Sequence, residues 1–454
     1  MEFFIVKKKP FEVFIALTQI LILFLYFTFN IVNVGEESGV ALPLIGIFLI
    51  LSIINLLFQS LTKPIKIYFH FFIFLLFIGW LCIRVIFDMH DTYLLKQLTI
   101  GTTGGILLFF LLGTFSRKYM NYIILSQLFL KIILVVFTII SLYIFFEYST
   151  RLIRTDIFFI DDVGGMYQRP GNLYIMLFIM TSFCYLSVFS NKLKEGLLSM
   201  SLWFFIYTTG LVISLVNSQM IGSNAATANL LAVYLMTLVC SFLAHSHTVR
   251  QVFSRGSLSL PLSRMVFSRI LQYSFLSLVV FGTILIIVIQ ISEFDITTTR
   301  LLGFGEGNTS VSSRVDILKN TGLAQLGYAP ILGNVNVAYL ATGDASRPLH
   351  NFIPNIWAEL GLVGLVIFIT LFVMLIKTLI VKIKRLLIDT EGFQQSMLNM
   401  WFLFILLYLF FYANIAVGKE WPVIWFLMGF SCSVFLSKRT LTLIKEVKSN
   451  GKKR

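Results

Sequence analysis

The stretch RPLHNFIPNIWAELGLVGL, residues 347–365, contains the pattern that best indicates the fold of this chain. It begins with polar residues, among them His350, and continues as an apolar segment that carries one acid, Glu359. Pro354 is expected near the first position of a helix, where its missing N–H has no intrahelical partner to lose. The apolar segment runs to about residue 376, which is long enough to cross a bilayer. His350 is therefore predicted at the mouth of a membrane helix.

The whole chain has the composition of a membrane protein. It has 454 residues, of which 58% are apolar and 12% are charged, whereas soluble proteins are about half apolar and about a quarter charged. Lipid offers no hydrogen bonds, so apolar spans must be helical. The sequence predicts an all-α, polytopic membrane protein with about 12 transmembrane helices. The predicted spans are roughly 11–33, 40–59, 67–88, 97–115, 124–147, 172–190, 197–217, 223–244, 270–291, 353–376, 397–416 and 421–437.

The distribution of charge predicts the topology. If the N-terminus is cytoplasmic, 24 of the 35 Lys and Arg residues fall in cytoplasmic connectors or the C-terminal tail, as the positive-inside rule requires. Both termini are then cytoplasmic. The formal charge of +14 reflects topology and contact with the lipid bilayer, and nucleic acid is excluded as a partner.

Three regions are predicted along the chain. Residues 1–291 hold transmembrane helices 1–9, with an extracytoplasmic loop at about 148–171. Residues 292–352 form a large extracytoplasmic loop between helices 9 and 10, and residues 353–454 hold helices 10–12 and a basic cytoplasmic tail. The large loop is expected to contain a short amphipathic helix at about 312–325. Ser313 and Asp316 would form its capping box, and its apolar side would rest on the helix bundle.

Three residues are candidates for catalysis on the outer face. His350 has a side chain that titrates near neutral pH, which suits a general base. Arg314, in the first turn of the loop helix, and Arg169, ahead of the sixth span, could bind a pyrophosphate. Each has a plainer alternative: a polar helix-entry residue for His350, a solvated arginine for Arg314, and an anchor at the lipid headgroups for Arg169.

Other polar residues near the helix mouth are candidates for support. Glu359 lies more than one turn into the span, where an acid usually faces a cavity or a partner, and a buried hydrogen bond to a neighbouring helix is an equal alternative. Gly361 and Gly364 are predicted as helix-packing positions, and Arg84 is predicted to pair with Asp88, four residues later. No metal site is predicted. The adjacent acids Asp161 and Asp162 are typical of a solvated loop, and the cysteines show no zinc or disulfide spacing.

A resemblance to a known family rests on these residues. His350-Asn351 followed by Glu359-Leu-Gly361-Leu-Val-Gly364 resembles the signature of the bacterial O-antigen ligase and O-antigen polymerase family. Ser313-Arg314 with the later Ala329-Pro-Ile-Leu-Gly333 resembles the arginine-bearing helix and Pro-x-x-Gly segment of its large loop. Arg169-Pro-Gly171-Asn172 is similar to a further family element. The chain departs from the pattern at 218–223, where Gln219 stands in the place that family members often give to an arginine.

The resemblance implies a GT-C-like membrane glycosyltransferase on the outer face of the bacterial cytoplasmic membrane. Donor and acceptor would be polyprenyl-pyrophosphate-linked glycans, with a flippase and a chain-length regulator as further candidate partners and no metal or other cofactor. His350 would be the base, Arg314 and Arg169 would stabilise the leaving pyrophosphate, Asn351 would orient His350 or the acceptor, and Glu359 would support the helix mouth. Arg347 is a further candidate for substrate binding.

The expected activity is a polymerase that makes a surface polysaccharide of the O-antigen or capsule type. The Phe-, Ile- and Lys-rich composition suggests an AT-rich genome, as in some Gram-positive bacteria, where a ligase would lack its outer-core acceptor. The alternatives are an O-antigen ligase, a 12-helix glycan-lipid flippase or transporter, and a structural scaffold.

Overall fold

The computed structural model of the chain describes residues 10–33, 41–62, 65–67, 69–88, 93–124, 126–152, 168–191, 197–254, 309–343, 349–387, 393–431 and 435–437. The predicted ninth span at 270–291, Arg347, and Asp161 with Asp162 lie outside these residues.

Within the described ranges the chain is almost entirely helical. The helices are α1 (Pro10–Val32), α2 (Ala41–Thr62), α3 (Phe69–Phe87), α4 (Tyr93–Ile123), α5 (Gln127–Leu152), α6 (Gln168–Asn191), α7 (Leu197–Met220), α8 (Asn224–Ser254), α9 (Thr309–Tyr328), α10 (Val337–Thr342), α11 (Phe352–Leu387), α12 (Phe393–Ala416) and α13 (Pro422–Ser431). Two strands of three residues, β1 (Ile65–Ile67) and β2 (Phe435–Ser437), pair in antiparallel register.

The membrane class predicted from composition is confirmed. Eight helices of the described chain are long and apolar enough to cross a membrane: α1, α3, α5, α6, α7, α8, α11 and α12. The apolar parts of α2 and α13 are shorter. Each predicted span apart from the ninth overlaps a helix, but α4, at the fourth predicted span, is not among the eight candidates. The last one, predicted at 421–437, is wrong at its C-terminal end, because α13 stops at Ser431 and residues 435–437 pair with β1 instead.

The predicted loop helix exists but begins earlier than expected. It is α9, and it starts at Thr309. Ser313 therefore lies inside the helix and cannot be its N-cap, so the capping-box prediction was wrong. Arg314 falls in the second turn and not the first. The apolar residues that follow it keep helical spacing, which is the local feature that the sequence showed correctly.

The described residues divide into two compact units. The first holds α1, α5–α8 and the adjoining ends of α4, α11 and α12. Its interior is apolar and aromatic, with Tyr207 stacked against Tyr185 at 4.3 Å between ring centroids. The polar groups inside it bind one another: Asn217 Nδ2 donates to Tyr174 Oη at 2.6 Å and to the Ser141 carbonyl at 2.8 Å. Neutral hydrogen bonds of this kind hold helices together in lipid.

In the second unit, helices α4 and α13 cross on two glycines. A methyl group on Gly113 would overlap the Phe426 carbonyl oxygen, and one on Gly429 would overlap the Phe110 carbonyl oxygen. The small residues let the two backbones touch. This crossing explains how α13, with only ten residues, remains fully buried.

The main feature of the second unit is a break in α11. Gly361 has φ 67° and ψ −174°, so two helical parts meet there at an angle. Gly333, with φ 74°, lies directly against it. A methyl group on Gly361 would overlap the Ile331 carbonyl oxygen, and one on Gly333 would overlap the Gly361 nitrogen. Gly361 was predicted as a helix-packing position. It instead interrupts the helix, because only glycine tolerates both this φ and this backbone contact.

Backbone groups freed by the break find new partners. The Leu362 N–H donates to the Pro330 carbonyl at 2.9 Å, and the Val363 N–H donates to the Ile331 carbonyl at 3.2 Å. Trp80 Nε1, on α3, donates to the Leu360 carbonyl at 2.9 Å. A kink at membrane depth is tolerated when such bonds satisfy the backbone. The turn after α9 is therefore joined to α11 by main-chain hydrogen bonds.

Replacing Gly361 with alanine is expected to destabilise the protein more than the same change at Gly343 or at Gly79. Gly343→Ala tests the backbone conformation alone, because Gly343 has φ 73° but no atom within 4 Å of an added methyl group. It should cost about 1–2 kcal/mol, and Gly361→Ala should exceed this because a steric overlap is added. The measurement is thermal unfolding in detergent.

Gly79→Ala is the matched control, since Gly79 lies in α3 with open space around it and has no positive φ. It should leave the unfolding midpoint near that of the wild type. Equal midpoints for Gly361→Ala and Gly79→Ala would contradict the role given to the break.

Candidate functional site

His350 lies immediately before α11 and is half-buried. Its neighbour Leu349 is fully buried, in a small apolar cluster with Val337 and Ala358. Three residues of α9 pack against this cluster: Ile317, Leu318 and Leu326. Part of the apolar side of the loop helix therefore contacts the rest of the protein, as predicted, whereas Leu323 on the same helix is 84% exposed. Leu349 fixes the backbone next to His350, and the His350 residue as a whole is partly exposed.

A second clamp on the helix mouth comes from α12. Asn351 Nδ2 donates to the Asn414 carbonyl at 2.8 Å. Asn414 Oδ1 in turn accepts from the Ile353 N–H at 3.0 Å, which is one of the first-turn N–H groups that have no partner inside a helix. Asn351 Oδ1 is buried and has no hydrogen-bond partner among the described residues. Asn351 therefore fixes the mouth of α11 through its amide nitrogen.

Glu359 belongs to a closed network of buried groups. Its Oε1 accepts from Asn355 Nδ2 at 2.7 Å, and its Oε2 forms an ion pair with the Lys419 ammonium. The Lys419 N–H donates to Asn355 Oδ1 at 3.0 Å, and Trp425 Nε1 donates to the Lys419 carbonyl at 2.6 Å. Both carboxylate oxygens of Glu359 are thus occupied, which suits the predicted supporting role.

Sequence reasoning missed Lys419 as a site residue. Burial lowers the pKa of its ammonium, but the Glu359 and Glu420 carboxylates more than offset this, so its pKa lies above the ordinary value. The two carboxylates therefore favour the charged form of the lysine. One feature of the sequence could have identified Lys419. It is a lysine in a short connector that the predicted topology places outside the cytoplasm, where the positive-inside rule makes lysines uncommon.

Asp88 ties the end of α3 to the turn before α10. Arg84 Nε donates to Asp88 Oδ2 at 3.0 Å, which confirms the predicted pair. The same carboxylate oxygen also accepts from the Val335 N–H at 3.1 Å, and the Asp88 carbonyl accepts from the Asn336 side chain. Asp88 therefore stabilises the segment that follows Gly333 as well as its own helix.

Arg169 belongs to the first unit, where it is the second residue of α6. Its side chain is largely exposed, and its guanidinium donates to Asn30 Oδ1 on α1. Two residues later, a methyl group on Gly171 would lie 2.8 Å from Ser223 Oγ, so the start of α6 lies directly against the turn between α7 and α8. The contact with Asn30 links the start of α6 to α1.

Gln219, in the place of the missing arginine, lies at that same turn. Its Nε2 donates to Thr227 Oγ1 at 2.5 Å, and Thr227 also bonds Ser218 Oγ at 2.6 Å. Gln219 Oε1 is buried without a partner among the described residues. The Gln219 side chain packs into the turn. Because its amide is uncharged, it does not replace the positive charge of the arginine.

The predicted site residues are therefore placed as follows. His350, Asn351 and Glu359 lie along the mouth of α11 in the second unit, with the helix that carries Arg314 packed against it. Arg169 lies in the first unit, and its convergence with His350 stays a prediction. Within the described part of the chain, no group of three or more His, Cys, Asp or Glu side chains could hold a metal ion.

Comparison with known proteins gives no assignment. No protein-family model matches the chain, and no curated protein matches it significantly.

Breaking the Glu359–Lys419 pair from one side is expected to be strongly destabilising. Glu359→Gln or Lys419→Met leaves a buried charge without its counterion, which costs about 3–5 kcal/mol. The double variant removes both charges and should recover much of that loss. A double-mutant cycle of thermal unfolding in detergent measures the coupling.

Lys319→Met is the matched control for this cycle, because Lys319 is an exposed lysine on α9. It should change stability little. A double variant that is no more stable than the worse single variant would contradict the pairing.

Proposed function

We propose that this chain is a membrane-embedded glycosyltransferase that polymerises polyprenyl-pyrophosphate-linked oligosaccharide units on the outer face of a bacterial cytoplasmic membrane. The acceptor hydroxyl loses its proton to His350 and attacks the anomeric carbon of the donor. A new glycosidic C–O bond forms as the bond from that carbon to the lipid pyrophosphate breaks. The proton stays on the imidazole, and the pyrophosphate leaves with the negative charge.

The observation that carries this proposal is the setting of His350. A general base must be held at a fixed place and must still reach a substrate. His350 is half-buried, which leaves part of the residue exposed to a substrate. Its backbone position is fixed by the buried Leu349 on one side and by the Asn351–Asn414 hydrogen bond on the other. Asn351 contributes to this setting through its amide nitrogen, which binds the Asn414 carbonyl.

Arginines would stabilise the leaving group. A pyrophosphate gains charge as its bond to carbon breaks, and fixed cations lower the energy of that state. Arg314 lies one turn before the residues of α9 that pack on Leu349, and Arg169 is held by Asn30 with its side chain largely exposed. Lys419 is excluded from this role, since its ammonium is buried against Glu359.

The activity can be tested with purified protein and a lipid-linked oligosaccharide as the only substrate. A ladder of longer lipid-linked glycans is the expected product. Extension that occurs only when a second acceptor is added would replace the polymerase with a ligase. No transfer to any acceptor would overturn the glycosyltransferase proposal.

His350→Ala is expected to lower turnover by a factor of about 10²–10⁴, the usual contribution of a general base. In cells, lipid-linked substrate should then accumulate on the outer face without polymer. Accumulation on the inner face would favour a flippase instead. His70→Ala is the matched control, because His70 lies in α3, away from the helix mouth in sequence, and is buried.

Arg314→Ala and Arg169→Ala are each expected to lower turnover by about 10²–10³, as the loss of a donor to a developing anion does elsewhere. Lys319→Ala is the control for Arg314, since Lys319 is an exposed cation on the same helix. The single-turnover rate of each variant with the lipid-linked donor is compared with that of the wild type. Wild-type rates in a correctly inserted Arg314→Ala protein would remove that residue from the site.

A further inference from the structure

The segment that joins α9 to α10 lies within a long uncharged stretch of the chain. No charged residue occurs among the 24 residues from Asn320 to Gly343. At its centre is the sequence Gly327-Tyr-Ala-Pro-Ile-Leu332, and Ile331 and Leu332 are 63% and 50% exposed. Two adjacent aliphatic side chains at the tip of a turn are costly to leave in water.

These two side chains lie beside a longer apolar surface. Leu362, Val366, Ile369 and Val373 recur at helical spacing along α11 after the break, and each is about half exposed. On a helix long and apolar enough to span a membrane, such a stripe faces lipid. Because Leu362 and Val363 bond the Pro330 and Ile331 carbonyls, the turn adjoins the upper end of this stripe.

The depth of the turn follows from the length of α11. Lys377, the next basic residue after the break, is exposed and lies 16 residues beyond Gly361. At about 1.5 Å per residue this is about 24 Å of helix, and a lysine can extend its ammonium further toward the headgroups. The hydrocarbon layer is about 30 Å thick. With Lys377 near one surface, Gly361 and the turn against it lie in the hydrocarbon edge of the opposite leaflet.

The backbone of the turn is also suited to lipid. Pro330 has no N–H, and its carbonyl accepts from both the Leu362 N–H and Trp357 Nε1, the latter at 3.0 Å. The Ile331 carbonyl and the Gly333 N–H are bonded as well. A turn can enter lipid only when its polar backbone groups are satisfied in this way. Tyr328, half exposed, and Trp357 flank the tip, and these residue types favour the headgroup level.

We infer that residues 328–332 form a membrane-inserted turn whose Ile331 and Leu332 side chains contact the acyl chains of the bilayer. The turn anchors α9, and with it the segment that carries Arg314, at the level of the membrane surface. The inference rests on the apolar spans and not on the proposed enzymatic activity.

A spin-label experiment in proteoliposomes tests it. The four cysteines are first replaced with alanine, and single cysteines are then introduced and labelled with a nitroxide. Accessibility to oxygen, which concentrates in hydrocarbon, is compared with accessibility to a water-soluble nickel chelate. Ile331→Cys and Leu332→Cys should give an oxygen-to-nickel ratio close to that of Val366→Cys, the lipid-facing reference. Lys319→Cys, exposed on α9, is the aqueous reference and should give the opposite preference.

Two results would overturn the inference. A ratio at both turn positions that resembles Lys319→Cys would mean that the turn lies in water. Accessibility to neither reagent would mean that protein covers the turn. Each labelled variant is checked for an unchanged unfolding midpoint, and Leu332→Cys provides an independent reading if Ile331→Cys fails to fold.

Discussion

The contact between Gly361 and Gly333 is the constraint on which the second unit depends. Two backbones approach so closely there that neither residue can carry a side chain, and both adopt a positive φ. A broken helix in lipid loses hydrogen bonds that water cannot replace. The turn after α9 supplies them through the Pro330 and Ile331 carbonyls. The loop helix and the membrane helix are therefore joined by main-chain bonds, which side-chain changes cannot easily release.

This constraint also determines where the candidate site lies. Because the turn is fixed to α11 at Gly361, α9 can place Ile317 and Leu318 against Leu349, beside His350. From the other direction, the end of α12 and the connector after it contribute Asn414 and Lys419. The mouth of α11 is thus held by groups from three separate parts of the chain. A histidine on such a support can be accessible without being mobile, which a general base requires.

Buried polarity differs between the two units. In the first unit the interior polar groups are neutral, as in the Asn217–Tyr174–Ser141 cluster. Among the described residues of the second unit, the Glu359–Lys419 ion pair is buried beside the helix mouth, and the Arg84–Asp88 pair is buried to a similar extent. A buried ion pair rarely adds net stability, but losing one partner is costly. The main effect of the Glu359–Lys419 pair is therefore to fix the position of the connector after α12.

The sequence by itself determined the features that depend on neighbouring residues. Apolar length located the helices, since a span must satisfy its own backbone, and spacing of four residues paired Arg84 with Asp88. Apolar periodicity also placed a helix around 312–325 with its apolar side on the bundle. The motif at 350–364 selected His350, Asn351 and Glu359, which lie at or within the first two turns of α11, and their functional roles stay predictions.

Only the tertiary structure decided what depends on residues far apart in the chain. Gly361 looks like an ordinary packing glycine until Gly333 is placed against it, 28 positions earlier in the sequence. Lys419 and Asn414 gained their roles because α12 returns to the start of α11. The final strand replaced the end of a predicted span because β1 offered it a pairing edge. Local sequence sets hydropathy and helical period, whereas the partners of a buried charge or a broken backbone are set by how the helices pack.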